Sequence, residues 1–324
     1  MPVPQTNENW SAAIHTVTLG ATADEGGTRK STVTIGGAKC VPFMAYEGAA
    51  GNRPVIAVEI WDSAGETWPD ELKAQYGEAL KDPASWAKKA VEFGGQAICL
   101  RLQGTHPDAG NHSAEQAADS VKAVLEAVDV PLIVRGCGVD EKDNEVLPKC
   151  THAAAGENCL FGSITEKNYR TLVAACLSDK HKILAESPLD INIAKQVNIL
   201  ARDAGFALDD LVIFPTTGAL GYGMEYVYSI MERSRLAGLS GDQLLQQPIL
   251  CDVGMEAWRA KEARADDLSR LSDADLAGSA QRGPLWEALT ATCLLQAGGD
   301  LICMRHPKAI EITQKAIDRT WPNA

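Results

Sequence analysis

At 324 residues, 45% hydrophobic and 23% charged, the chain has the make-up of a soluble globular protein, and 28 glycines with 15 prolines are ordinary usage rather than low complexity. Forty-three acidic against 30 basic residues leave a net charge of −13, which argues against a nucleic-acid duplex or an anionic membrane surface as partner. No stretch approaches the ~18 consecutive apolar residues of a membrane span, and the opening MPVPQTNENW lacks a basic-then-apolar signal layout, so a cytoplasmic protein is expected.

Residues 1–50 form an N-terminal extension in which 16–19 and 32–35, joined by a polar, Gly-rich turn, predict a β-hairpin that plugs the N-terminal mouth of the main domain. From 51 to 324 short apolar runs alternate with helical patterns. The runs are 55–60, 97–102, 131–134, 159–161, 183–185, 211–214, 248–250 and 301–304. Continuous rather than alternating apolar runs suit strands buried on both faces of a parallel sheet. Helix signals fill the gaps. Asp82-Pro83 gives a capping acid and then proline at the first helical position. Ser113 and Gln116 have capping-box spacing, with Ala117, Val121, Val124, Leu125 and Val128 on one face behind them. Ile193, Ala194, Val197, Leu200 and Ala201 make another face, ended by Gly205, and 285–296 and 310–317 close the series. Eight strand–helix units predict a single-domain α/β (β/α)8 TIM barrel over 51–324, with a doubly wound open sheet as the rival.

The nine cysteines are scattered and form no C-x-x-C pair. They read as reduced thiols, with Cys99, Cys159 and Cys303 packed as small hydrophobes and no metal cluster expected on this chain.

Barrel ligands bind at the C-terminal ends of the strands, which here carry Trp61-Asp62, Gly104 to Asp108, Arg135 to Gly138, Gly162-Ser163, Glu186 to Asp190, Pro215 to Gly218, Asp252 to Glu256 and Arg305 to Pro307. This set holds no H-x-H pair, no strand-end lysine and no G-x-S-x-G elbow, which disfavours a barrel hydrolase, lyase or aldolase. The unusual segment is 215–229, PTTGALGYGMEYVYS, where three glycines in six residues let backbone approach something flat or bulky. Its G-x-x-G-x-G order is not the dinucleotide fingerprint. Ligand contact and a tight turn packed by Tyr222, Tyr226 and Tyr228 are equally open readings. His306 reads first as a hydrogen-bonded strand-end histidine and second as a ligand. Asp190, ahead of Asn192, reads first as a helix cap. Glu186 and Glu256 are expected to pair with Arg305 or Lys195 across the mouth, and the polar run 264–282 reads as a solvated excursion.

The strings NRPVIAVEIWD (52–62), ICLRLQGTHPD (98–108), SPLDINIAKQVNIL (187–200), TTGALGYGMEYVYSIMER (216–233), GMEAWRAKEA (254–263), RGPLWEALTA (282–291) and MRHPKA (304–309) together resemble one family. It is the small subunit of the corrinoid/iron–sulfur protein, also called the delta subunit of the acetyl-CoA decarbonylase/synthase complex. The resemblance implies a TIM barrel without a complete active site of its own. It also implies a heterodimer with a large subunit that holds the iron–sulfur cluster, the cobamide (corrinoid) being shared between the two. The expected partners beyond the large subunit are a methyltetrahydrofolate:corrinoid methyltransferase and CO dehydrogenase/acetyl-CoA synthase. In that setting Thr216, Thr217, Gly218, Ala219, Leu220, Gly221, Tyr222 and Gly223 are candidates to cap the corrin, with Ser187, Asp190, Asn192 and His306 beside them. The competing reading is a self-sufficient barrel methyltransferase that binds a methylpterin, with Asp62, Asp190 and Asn192 available to hydrogen-bond it.

Overall fold

The computed structural model describes residues 7–264 and 279–321. A two-stranded antiparallel hairpin, β1 (Thr16–Leu19) and β2 (Val33–Gly36), comes first. Eight parallel strands come after it, β3 (Val55–Trp61), β4 (Ala97–Arg101), β5 (Leu132–Arg135), β6 (Leu160–Ile164), β7 (Lys182–Glu186), β8 (Leu211–Phe214), β9 (Ile249–Cys251) and β10 (Gly299–Met304). They close into a barrel because β10 pairs with both β9 and β3. The open-sheet rival is thereby excluded, and each predicted apolar run carries one barrel strand. Around them lie α1 (Asp70–Tyr76), α2 (Pro83–Glu92), α3 (Ala114–Ala127), α4 (Asp140–Ala153), α5 (Tyr169–Asp179), α6 (Ile191–Asp203), α7 (Met224–Leu239), α8 (Val253–Ala257), α9 (Lys261–Arg264), α10 (Ser279–Gln296) and α11 (Pro307–Thr320).

The local signals act as expected. Asp82 accepts from Ser85 N at 2.9 Å at the head of α2, and Ser113 with Gln116 forms the reciprocal capping box of α3. The hairpin closes the N-terminal mouth: Val17, Leu19 and Ile35 join Val55, Ala97, Ile133 and Leu160 in one apolar cluster. Asn158 Nδ2 ties it down by donating to the carbonyls of Thr18 (3.0 Å) and Gly20 (3.1 Å). Most of the run 264–282 lies outside the described residues.

Strand alternation decides what fills the barrel. Along β3, Ile56, Val58 and Ile60 pack outward against the helices, while Val55, Ala57 and then Glu59 project inward. The lower interior is apolar, with Cys99, Leu160, Leu184, Val212, Leu250, Leu301 and Cys303. Cys99, Cys159 and Cys303 are fully buried, as expected of small hydrophobes. At the C-terminal end of the same columns the inward residues turn charged.

Candidate functional site

The uppermost interior layer is an ion-paired ring. Glu59 accepts from Trp61 Nε1 (2.6 Å), Arg305 (2.7 Å) and Arg101 Nε (3.1 Å). Asp252 accepts from both Arg101 and Arg135 at 2.5 Å. Arg135 also lies 4.0 Å from Glu186 and stacks its guanidinium 4.3 Å over Phe214. Burial pushes the Glu59 carboxyl up, but Arg305, Arg101 and the hydrogen bonds overcome it and hold the group well below the usual carboxylate range. Desolvation works against the charge on Arg101, and Glu59 and Asp252 more than restore it. Such a layer removes catalytic freedom from these side chains, since each charge is committed to a neighbour.

Above the ring opens a cavity of about 330 Å3, bordered by Arg135, Cys137, Asp143, Ser163, Asn168, Thr216, Asp252 and Glu256. Asp143 accepts from the backbone N–H of Cys137 (2.8 Å) and Gly138 (3.0 Å), fixing the β5 loop. Burial raises the carboxyls of Asp143 and Glu256. Asn168 Nδ2 donates to Asp140 at 3.1 Å and to the Ser163 carbonyl at 3.3 Å.

The β7 and β8 loops are laced together beside this cavity. Thr216 Oγ1 donates to the Ser187 carbonyl at 2.8 Å, and Leu189 N donates to the Pro215 carbonyl at 3.3 Å. Thr216 and Leu189 both hold left-handed backbone, with φ of 57° and 48°. Neither is glycine, so the rim stores strain that its hydrogen bonds must offset. Leu189 leaves its side chain 37% exposed there. Thr217 is buried and accepts from Asp252 N at 2.8 Å, which couples the loop to the ion-paired ring.

Beyond Thr217 the loop turns away toward α10. Gly218 is pressed so closely on Gly223 that a Cβ would come within 2.9 Å of backbone. Ala219 is buried. Leu220 N donates to Thr290 Oγ1 (3.2 Å), and Trp286 Nε1 donates to the Leu220 carbonyl (3.0 Å). Tyr222, 47% exposed, donates to Glu262 at 2.8 Å, and Gly221 and Gly223 supply the positive φ of the turn. Of the eight loop candidates only Thr216 borders the mouth cavity. Trp286 and Thr290, which anchor the loop from α10, were not among the sequence candidates, and no local pattern points to them.

Asp190 and His306 have structural partners, whereas the buried Ser187 hydroxyl has no hydrogen-bond partner among the described residues. Asp190 caps α6, accepting from Asn192 N at 2.7 Å and Ile193 N at 3.3 Å. His306 Nδ1 accepts from Lys308 N at 3.0 Å to cap α11, its ring stacks 5.8 Å from Trp258, and burial lowers its pKa to about 4. Ser187 is fully buried. Asp62 accepts from Gly104 N at 2.7 Å and lies 3.6 Å from His112. The expected pairing of Glu186 and Glu256 is corrected: Glu186 faces Arg135 and Glu256 faces Arg259 at 2.6 Å, while Arg305 belongs to Glu59 and Lys195 to Asp242. Arg305 lies inside the barrel and β3 presents Glu59 to it directly, so the more distant acids are outcompeted. Glu59 and Arg101 were missed as site residues, although each is a charge interrupting an apolar strand at an inward position.

Closed barrel, plugged N-terminal mouth and polar C-terminal mouth define a TIM-barrel protein. Solved structures agree on the fold alone: Xanthomonas albilineans dihydropteroate synthase with 4-aminobenzoic acid has a TM-score of 0.55 at 14% identity over 84% of this chain and 92% of that one. The Coxiella burnetii dihydropteroate synthase in complex with pteroic acid has a TM-score of 0.55 at 12% identity over 94% and 97%. The family model described as CO dehydrogenase/acetyl-CoA synthase delta subunit matches residues 16–307. Subunit delta of the acetyl-CoA decarbonylase/synthase complex of Methanopyrus kandleri is 34% identical over 304 residues, 93% of this chain and 74% of the relative. Subunit delta 1 of Methanosarcina thermophila is 36% identical over 309 residues, 94% and 70%. The Archaeoglobus fulgidus subunit delta is 35% identical over 314 residues, 96% and 69%. The chain belongs to the CO dehydrogenase/acetyl-CoA synthase delta subunit family.

Proposed function

We propose that this chain is the barrel subunit of a heterodimeric corrinoid/iron–sulfur methyl carrier. It lays its C-terminal mouth against a cobamide held mainly by a large subunit, which also carries the iron–sulfur cluster. The observation that carries this reading is the rim between β7 and β8. There two non-glycine residues, Leu189 and Thr216, are held in left-handed backbone above an interior whose charges are already paired. Strain held in place by hydrogen bonds at a strand-end rim points to a surface shaped for a ligand rather than for packing.

The residues present fit a corrinoid lying across the mouth and not inside it. A cavity of about 330 Å3 is at the small end of organic-ligand sites and cannot enclose a corrin macrocycle. A flat ring needs apolar contact with polar groups at its margin. Leu189, Leu220 and Tyr222 offer the first, and the Thr216 hydroxyl oxygen, whose proton goes to the Ser187 carbonyl, can accept from a peripheral amide. When bound, the cobamide supplies a cobalt that carries a methyl group between methyltetrahydrofolate, through its methyltransferase, and acetyl-CoA synthase. The part of this chain is to exclude water from one side of that ring and to position it. It takes no proton and forms no bond.

The same cavity also matches a bicyclic ring in volume, which favours a second reading, a barrel methyltransferase that binds a methylpterin by itself. Calorimetric titration of the chain with methyltetrahydrofolate separates the two. The carrier reading predicts no saturable binding to the chain alone and one-to-one association with the corrinoid-loaded large subunit. Micromolar binding to the chain alone, without association, would overturn it.

A further inference from the structure

We propose that a second cavity, between the ends of β3 and β10 and the α8 segment, binds a planar aromatic anion. It measures about 280 Å3, and its wall includes Trp61, Trp68 and Trp258 together with Arg259, Arg264 and Arg305. That volume admits a fused bicyclic ring. The indoles supply flat apolar faces, and a guanidinium supplies both charge and a second stacking plane. Arg305 already uses the wall in this way, lying 5.5 Å from the Trp61 ring centroid and 4.6 Å from that of Trp68.

The electrostatics select the sign of the ligand. Among the described residues that line this cavity none is acidic. The described carboxylates that reach its arginines come from outside: Glu59, which Arg305 shares with Arg101, Glu256, 2.6 Å from Arg259, and Glu287, which accepts from the Arg305 backbone N–H. Arg264 donates to the Arg259 carbonyl at 3.1 Å. Among the described residues, three guanidinia therefore meet one shared carboxylate, one unshared carboxylate and Glu287, whose carboxyl burial raises to about 7, a local positive excess on a chain of net charge −13. Glu66 and Asp108 border the adjoining cavity, which shares Trp61 and Gln103, and would repel an anion from it. An aromatic carboxylate and an aromatic phosphate share the chemistry this wall recognises.

This inference does not rest on the corrinoid reading, and its test needs neither cobamide nor partner. Three of the seven tryptophans line the cavity, so intrinsic fluorescence reports occupancy directly. The full chain is titrated with 2-naphthoate, 2-naphthyl phosphate and neutral 2-naphthamide. At least one anion is expected to quench saturably and to bind tenfold or more tightly than the amide, with affinity falling as salt rises; the tighter of the two anions identifies the acid group. R259E and R264E are each expected to weaken that anion fivefold or more at unchanged melting temperature, and R259K to retain most of the affinity. Amide binding as tight as either anion, absence of saturable binding by both, or indifference to R259E and R264E would overturn the proposal.

Discussion

Replacing Glu59 with glutamine removes one negative charge from the centre of the ion-paired ring while keeping its shape. Glu59 is fully buried and accepts from Trp61, Arg101 and Arg305. All three donors reach the same oxygen, Oε1, so glutamine can keep the hydrogen bonds, but two guanidinia would lose a shared counter-charge in a dry setting. Breaking a buried pair from one side costs about 3–5 kcal/mol. Unfolding entropy of ~2.1 cal/mol/K per residue gives a chain of this size roughly 0.6–0.7 kcal/mol/K, so the melting temperature should fall by about 5–8 °C, with a matching drop in the urea midpoint. D252N removes the second counter-charge from Arg101 and, among the described residues, the close one from Arg135, and should cost a similar amount. Because both carboxylates lean on Arg101, the double variant should lose about 0.5–3 kcal/mol less than the sum of the singles. Additive costs, or single variants within about 1 kcal/mol of wild type, would refute the view that Arg101 couples the two halves of the mouth.

Glu287, fully buried on α10, accepts from Trp258 Nε1 at 2.7 Å and from the backbone N–H of Arg305 and His306. Burial nevertheless raises its pKa from 4.5 to about 7. A carboxyl raised on folding contributes stability below the unfolded value and loses it as pH rises through the folded one, so E287Q should gain on wild type between about pH 4.5 and 7 in urea titrations; a constant difference over that range would contradict the shift. His306, lowered by burial to about 4, acts with the opposite sign from about pH 4 to its ordinary 6.5, and cancels in that comparison. Iodoacetamide on the native chain should modify Cys137 and Cys293 only, and slowly, since the other seven cysteines are buried and burial raises both thiols that are not; rapid alkylation of Cys99 or Cys303, read by mass spectrometry, would contradict the packed barrel interior.

The barrel was legible because its strands are continuous apolar runs, and 211–214 coincides with β8 to the residue. The helices were less so. α4 holds Pro148 in its interior and α5 has only a weak apolar face, so neither gives a start signal followed by a clean period. The Asp190 cap was readable from local chemistry alone. The ion-paired ring was not, because which acid meets which arginine depends on barrel register: Glu59 and Arg305 are far apart in sequence and meet only when β10 closes on β3. For the same reason the sequence of 216–223 does not reveal its anchors, since Trp286 and Thr290 stand on a helix much later in the chain.

If the C-terminal mouth of this barrel meets a corrinoid held by a partner subunit, that contact must slow exchange of the backbone it covers. Hydrogen exchange of the chain alone, compared with the chain bound to the corrinoid-loaded large subunit, tests this most directly. New protection is predicted at 187–190 and 216–223 and at the strand ends near Arg135 and Asp252, with the hairpin at 16–36 unchanged. Protection confined to the hairpin, or to the outer faces of the helices with the mouth exchanging as in the free chain, would contradict it.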